Sequence, residues 1–223
     1  MNKPRKVCIT GGSRGIGKAI AHQFRVDGYE VWAPTRQELD FGEPDQVRAF
    51  LTAHPLDVDI LIHSAGINIL SSLEEMTLDN WRQMIDTNLS SAMLLIQGAV
   101  PHMAMGGWGR IVTISSIYSI LTRAGRGAYG ASKAGLNSLT RTAALEYADR
   151  GILVNAVCPG FVDTDLTRQN NTPNRICEIT ASIPLGRLAI ESEIAEVVSF
   201  LCSDRNTYMT GQTLVVDGGF SLQ

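Results

Sequence analysis

"KVCITGGSRGIGKAIAHQFRVDG", residues 6–28, holds two periodicities joined by a glycine turn. "KVCIT", 6–10, is a short apolar run closed by glycines and reads as a buried strand. "IGKAIAHQFRVDG", 16–28, carries apolar residues at helical spacing and stops at Gly28, a C′-type position. Between them "TGGSRGIG", 10–17, must turn sharply. Glycines there admit a tight turn and let a phosphate reach the backbone. The following helix N-terminus meets negative charge with free N–H groups and the positive end of its dipole. The spacing is T-G-x-x-x-G-x-G rather than G-x-G-x-x-G. A bare βα connection could look the same. A place after the first strand of a βαβ unit favours phosphate binding.

Outward from this unit the same alternation continues. "YEVWAPT", "VDILIHSAG" (58–66), "GRIVTISS" (109–116), "ILVNAVCPG" and "QTLVVDGG" read as strands. Helical patterns lie at "PDQVRAFLTAH" (44–54), "LDNWRQMIDTNLSSAMLLIQGAVPHM", 129–151 and "ESEIAEVVSFLCSD". The last has an acidic first turn, which suits its dipole. Strands alternating with helices imply a doubly wound parallel sheet of Rossmann type, α/β, with helices on both faces. No linker or repeat divides the chain. We expect one domain over 1–223, with a cofactor half over about 1–110 and a substrate half over about 111–223. The least regular stretch, polar and turn-prone at "RQNNTPNR", makes 163–182 a candidate lid beyond a strand's carboxyl end.

The 223 residues suffice for one core; 44% are hydrophobic and 18% charged, and net charge is -3. No like-charge block points to nucleic acid or lipid, and no apolar run reaches a membrane span. The N-terminus carries no signal-peptide core, so a cytoplasmic protein is expected. The four cysteines and four histidines are too scattered for a metal pattern, and no metal is expected.

The end of the second strand selects the adenine ribose. An acid there holds the 2′-hydroxyl of NAD, and arginine favours a 2′-phosphate. Here the strand ends "PTR", with Arg36 in place of an acid. Arg14, inside the glycine loop, could close on the same phosphate. Glu38 is a competing acid of the NAD type. NADP(H) is therefore preferred, with NAD(H) as the alternative.

"AYGASKAG", 128–135, sets Tyr129 and Lys133 at i,i+4, on one helical face. With "TGGSRGIG", "HSAG" (63–66), "TN" (87–88), "ISS" (114–116), "YGASK", "NAVCPGFVDTD" (155–165) and "VDGG" (216–219), the chain resembles the short-chain dehydrogenase/reductase family over nearly its whole length. It is most similar to the branch containing the 3-oxoacyl-acyl carrier protein reductases. The resemblance implies a catalytic tetrad of Asn88, Ser116, Tyr129 and Lys133. It implies cofactor contacts from Gly11, Ser13, Arg14, Gly15, Ile16, Gly17, Arg36, Asp40, Ala65, Gly66, Tyr129, Lys133, Pro159, Gly160, Val162 and Thr164. Chemistry asks for such groups too. A hydride moves to a carbonyl carbon while the oxygen gains a proton. A free phenol titrates near ~10, too high for efficient exchange, and a nearby cation should lower it. Ser116 can donate to the oxygen where charge develops. Asn88 is implied to hold a water near the lysine. Ser116, Tyr118 and Tyr129 are expected in the substrate pocket.

The chain departs from the family pattern at three places. "HSAG" stands where N-N-A-G is usual, and His63 reads as a hydrogen-bonded strand-end residue. Arg36 is followed at once by "QELDF", so a helix before the adenine-contacting acid, Asp40, is deleted. Of two basic positions that receive acyl carrier protein in relatives, Arg150 is present and Gly107 is not basic.

The expected function is hydride transfer between NADP(H) and a carbonyl or secondary alcohol, with Tyr129 as general acid/base. The substrate is a small molecule, left open between a 3-oxoacyl thioester, a ketone, a sugar and a steroid. The alternatives are a nucleotide-binding sensor or scaffold without catalysis, and a sugar-type dehydrogenase using NAD. A nucleotide-sugar epimerase is disfavoured because little chain follows "VDGG". The resemblance implies a homotetramer or homodimer, with the helix at 191–203 and the last strand against a second copy.

Overall fold

Strand and helix alternate in space as the patterning requires. The computed structural model describes residues 3–222; Met1, Asn2 and Gln223, the ends of the expected domain, lie outside the described residues. The strands are β1 (Lys6–Thr10), β2 (Glu30–Trp32), β3 (Ile60–His63), β4 (Gly109–Ile114), β5 (Ile152–Pro159) and β6 (Thr213–Val216). They form one sheet in the order β2-β1-β3-β4-β5-β6, and every neighbouring pair is parallel. Strand order reverses between β1 and β3, where Thr10 pairs with His63. In such sheets that reversal opens a crevice at the carboxyl ends, the place where ligands bind.

The helices are α1 (Gly15–Val26), α2 (Pro44–Ala53), α3 (Leu78–Ile85), α4 (Ser91–Gly106), α5 (Gly127–Tyr147), α6 (Asp165–Gln169), α7 (Pro173–Ala181) and α8 (Glu191–Cys202). Successive strand residues point to opposite faces. Val7, Ile9, Ile60, Ile62 and Val112 therefore bury against α1 and α8, with Phe24, Ile194 and Val198. Cys8, Leu61 and Ile111 face the other way, onto Val47, Leu95 and Met103 of α2 and α4. Both faces being covered explains why the strands read as continuous apolar runs.

Three local outcomes differ from expectation. The second strand is shorter than "YEVWAPT", since Pro34 can donate no ladder hydrogen bond. The polar stretch after β5 folds into α6 and α7. Thr164 and Thr172 cap them, accepting from the N–H groups of Thr167 at 3.2 Å and Arg175 at 3.3 Å. The pattern read as one helix from Leu78 is broken at Asp86–Ser90 by a turn of π-helix.

Candidate active site

A cleft of about 320 Å³ opens at the carboxyl ends of β1, β3, β4 and β5. Its floor is the glycine turn. A Cβ on Gly17 would lie 2.2 Å from the Gly11 carbonyl oxygen, and Gly11, at φ +67°, touches the Ala65 backbone. Only glycine permits that approach. No acidic residue lies in the first turn of α1, and no side chain caps it, so its N–H groups remain for an anion. This cradle fits a dinucleotide pyrophosphate. Gly11, Ser13, Arg14, Gly15, Ile16 and Gly17 all line it. Ala65 and Gly66 follow from β3, and Pro159, Gly160, Val162 and Thr164 from β5.

Thr10 ties the two central strands at this point. Its hydroxyl oxygen accepts the N–H groups of Ser64 at 3.0 Å and Ala65 at 2.9 Å. It also lies 3.2 Å from His63 Nδ1. His63 is buried, and burial with the nearby Lys133 charge pushes its pKa down to about 3. It is a neutral strand-end residue, hydrogen-bonded through one nitrogen as expected.

The four expected catalytic side chains come from four separate elements. Ser116 ends β4 and is buried; its Oγ accepts the Tyr118 N–H at 3.2 Å and hydrogen-bonds Tyr129. Tyr129 sits in the first turn of α5 and Lys133 one turn on. Lys133 is buried and donates from Nζ to the Ile114 carbonyl at 2.8 Å. The α5 backbone is held to the strand end by Ser115 Oγ, which donates to the Lys133 carbonyl at 3.2 Å. Asn88 lies in the π-helical turn, fully buried. It accepts the Ile67 N–H at 2.8 Å and donates to the Ile67 carbonyl at 3.0 Å and to Ser132 Oγ at 3.0 Å. Gly66 separates the pair, because a Cβ there would stand 3.3 Å from both Asn88 Oδ1 and Lys133 Nζ.

The electrostatics correct one expectation. Lys133 was expected to lower the Tyr129 pKa. Instead enclosure of the phenol raises it, with the Ser116 hydrogen bond acting against that rise. The same enclosure pushes Lys133 down to about 8. Both groups resist charge in the same low-dielectric pocket, and here desolvation outweighs their attraction.

Tyr118 takes a different place from the one expected. It borders a neighbouring cavity with Arg123 and Arg126, while Ser116 and Tyr129 line the main cleft. The Arg126 guanidinium lies 4.5 Å from the centre of the Tyr118 ring and holds it there. The carrier-docking positions are also corrected. Gly107 and Arg150 do not flank the cleft: they precede β4 and β5, at the opposite edge of the sheet, where Gly109 N–H reaches the Gly151 carbonyl at 3.3 Å.

At the adenine end, Arg36 and Asp40 both line the cleft, but they bond each other, Nε to Oδ2, at 2.9 Å. Leu39 and Phe41, buried beside them, also line it. Neither was singled out from the sequence, although the apolar flanks of Asp40 in "ELDF" were the available signal. Gln83 and Thr87 are further wall residues without a motif.

Comparison with known proteins agrees with this geometry. The family model described as enoyl-(acyl carrier protein) reductase matches residues 38–221. A 3-oxoacyl-[acyl-carrier-protein] reductase of Chlamydia pneumoniae is 37% identical, covering 97% of each chain. The ligand-free aldohexose dehydrogenase of Thermoplasma acidophilum superposes with a TM-score of 0.90 at 33% identity, over 99% of this chain and 95% of that one. ElxO with NADP bound gives a TM-score of 0.90 at 29% identity, over 99% and 100%.

Proposed function

Given that the chain belongs to the short-chain dehydrogenase/reductase family, we propose that it reduces a ketone with NADP(H), or runs the reverse reaction, through Tyr129. The family makes it an NAD(P)-dependent oxidoreductase acting on a small molecule. The observation that carries the residue assignment is the convergence of Ser116, Tyr129 and Lys133 on the cleft beside the glycine cradle, with Asn88 behind.

The bound nicotinamide supplies or accepts the hydride. The protein does the rest. Ser116 donates its hydroxyl hydrogen to the substrate oxygen as negative charge grows there. Tyr129 gives that oxygen its proton, and the raised pKa keeps the phenol protonated and ready to do so. Lys133 holds positive charge beside the phenolate that remains and so favours its formation. Asn88, through Ile67 and Ser132, fixes the two segments that frame Lys133. The glycine turn takes the pyrophosphate, and Arg14 lies at the 2′-phosphate end.

A 3-oxoacyl thioester is the first substrate class to try, supported by the named activity of the curated relative. A sugar oxidised with NAD is the second, supported by the aldohexose dehydrogenase. Purified protein is assayed with both classes and both cofactors, following reduced nicotinamide absorbance. Turnover lost in Tyr129→Phe supports the assignment. Cofactor binding without turnover of any ketone or alcohol favours a sensor. We read a homo-oligomer from the edge strand β6, with Val215 40% exposed, and from Ile190 beside α8, 55% exposed. Light scattering at one subunit's mass contradicts it. We place the protein in the cytoplasm, a reading supported by the unpaired, buried thiols of Cys8, Cys158 and Cys202. No helix among the described residues is long and apolar enough to cross a membrane.

A further inference from the structure

The turn after β2 brings Arg36, Glu38 and Asp40 within five residues. Pro34, Arg36, Leu39 and Asp40 line the cleft, so this turn is its wall at the adenine ribose end. Glu38 folds back on the strand end. Its Oε2 accepts the Thr35 N–H at 2.7 Å and the Thr35 hydroxyl at 2.9 Å. A backbone amide and a hydroxyl converging on one anionic oxygen is also how a turn seats a phosphate. Arg36 is committed elsewhere: its Nε is on Asp40 Oδ2, and Asp40 Oδ1 accepts the Gly42 N–H at 2.9 Å. One cation against two carboxylates leaves the turn negative. Arg14, across the cleft, is the cation that has no side-chain partner among the described residues.

We propose that Glu38 is a specificity-determining residue, whose carboxylate occupies the Thr35 donors that a 2′-phosphate needs and so weakens NADP(H) relative to NAD(H). This rests on the dinucleotide reading above. The 2′-hydroxyl of NAD(H) brings no charge and does not have to displace the carboxylate. The two Thr35 hydrogen bonds hold the Glu38 carboxyl below its usual range, so it stays ionised at neutral pH. Arg14 and Glu38 then act in opposition, and the protein accepts both cofactors.

The test is titration of purified protein with NADPH and with NADH, using wild type, Glu38→Gln and Glu38→Ala. The glutamine keeps an oxygen for Thr35 and drops the charge; the alanine empties the seat. NADPH should bind about fivefold tighter to Glu38→Gln, the effect of one like charge removed at partly screened distance, while NADH moves less than about twofold. Glu38→Ala should shift in the same direction. A merely structural bracket predicts the opposite, with Glu38→Gln unchanged and Glu38→Ala weaker for both cofactors, and that result overturns the inference. If the alanine variant does not fold, the glutamine variant decides. Wild type binding neither cofactor overturns the dinucleotide reading itself, and this inference with it.

Discussion

Lys133 Nζ stands 5.9 Å from the centre of the Tyr129 ring, one helical turn along α5. The phenol's task is proton transfer, and its removal should leave the cleft intact. Tyr129→Phe is expected to lower kcat by about 10²- to 10⁴-fold, with cofactor affinity changed less than about twofold. Steady-state kinetics beside a cofactor titration check this. Equal loss of both would mean that the ring shapes the site rather than reacting.

Lys133 also marks the protein's stability at alkaline pH. Its pKa falls from 10.5 free to about 8 when folded. Between those values the unfolded chain binds a proton that the folded chain does not. Stability from this group therefore rises as pH increases from about 8 to 10.5. Urea midpoints across that window should climb more steeply in wild type than in Lys133→Met. Parallel curves would contradict the assignment.

His63 makes the corresponding prediction on the acid side. Burial lowers its pKa from 6.5 to about 3. As pH drops through that interval, the unfolded chain gains a proton first, so folding weakens. His63→Asn removes this titration. Its urea midpoint should fall less between pH 6.5 and 3 than that of wild type. A larger fall in the variant would show that another group controls acid unfolding.

Gly17→Ala places a methyl 2.2 Å from the Gly11 carbonyl oxygen, where the obstacle is backbone. The turn must shift, at a cost of about 1–3 kcal/mol, and cofactor affinity should fall more than about tenfold. Gly66→Ala meets only side-chain tips, at 3.3 Å. It should bind cofactor nearly as wild type but turn over more slowly, because the methyl pushes on Lys133. Calorimetry with kinetics separates the two.

Periodicity and turn chemistry made most of this molecule legible. Apolar runs such as "ILIH" announce strands covered on both faces, and glycine at 11 and 17 announces a close approach. The i,i+4 spacing of Tyr129 and Lys133 already puts them on one face. Charge partnerships at the adenine end were not legible. Arg36 reads as a free phosphate receptor in the chain, yet the missing helix brings Asp40 within 2.9 Å of it. Whether a cation raises or lowers a neighbour's pKa depends on enclosure, which spacing does not report; Tyr129 shows this. Tyr118 is drawn off the main cleft by Arg126, a contact set by the loop's path rather than by its sequence pattern.

The π-helical turn at Asp86–Ser90, closed by the Ser91 N–H on the Asp86 carbonyl, has a consequence for how this chain can change over time. One extra residue per turn puts α3 and α4 out of phase by about 100° relative to an unbroken helix. Deleting a single residue here would heal the helix and satisfy local hydrogen bonding better. It would also swing Asn88 away from Ile67 and Ser132. Point substitutions nearby can be absorbed by repacking, whereas a codon lost from this turn rotates a whole helix against its neighbour. Insertions and deletions, harmless in most surface segments, should therefore be selected against at 86–90 as strongly as changes to Tyr129 itself.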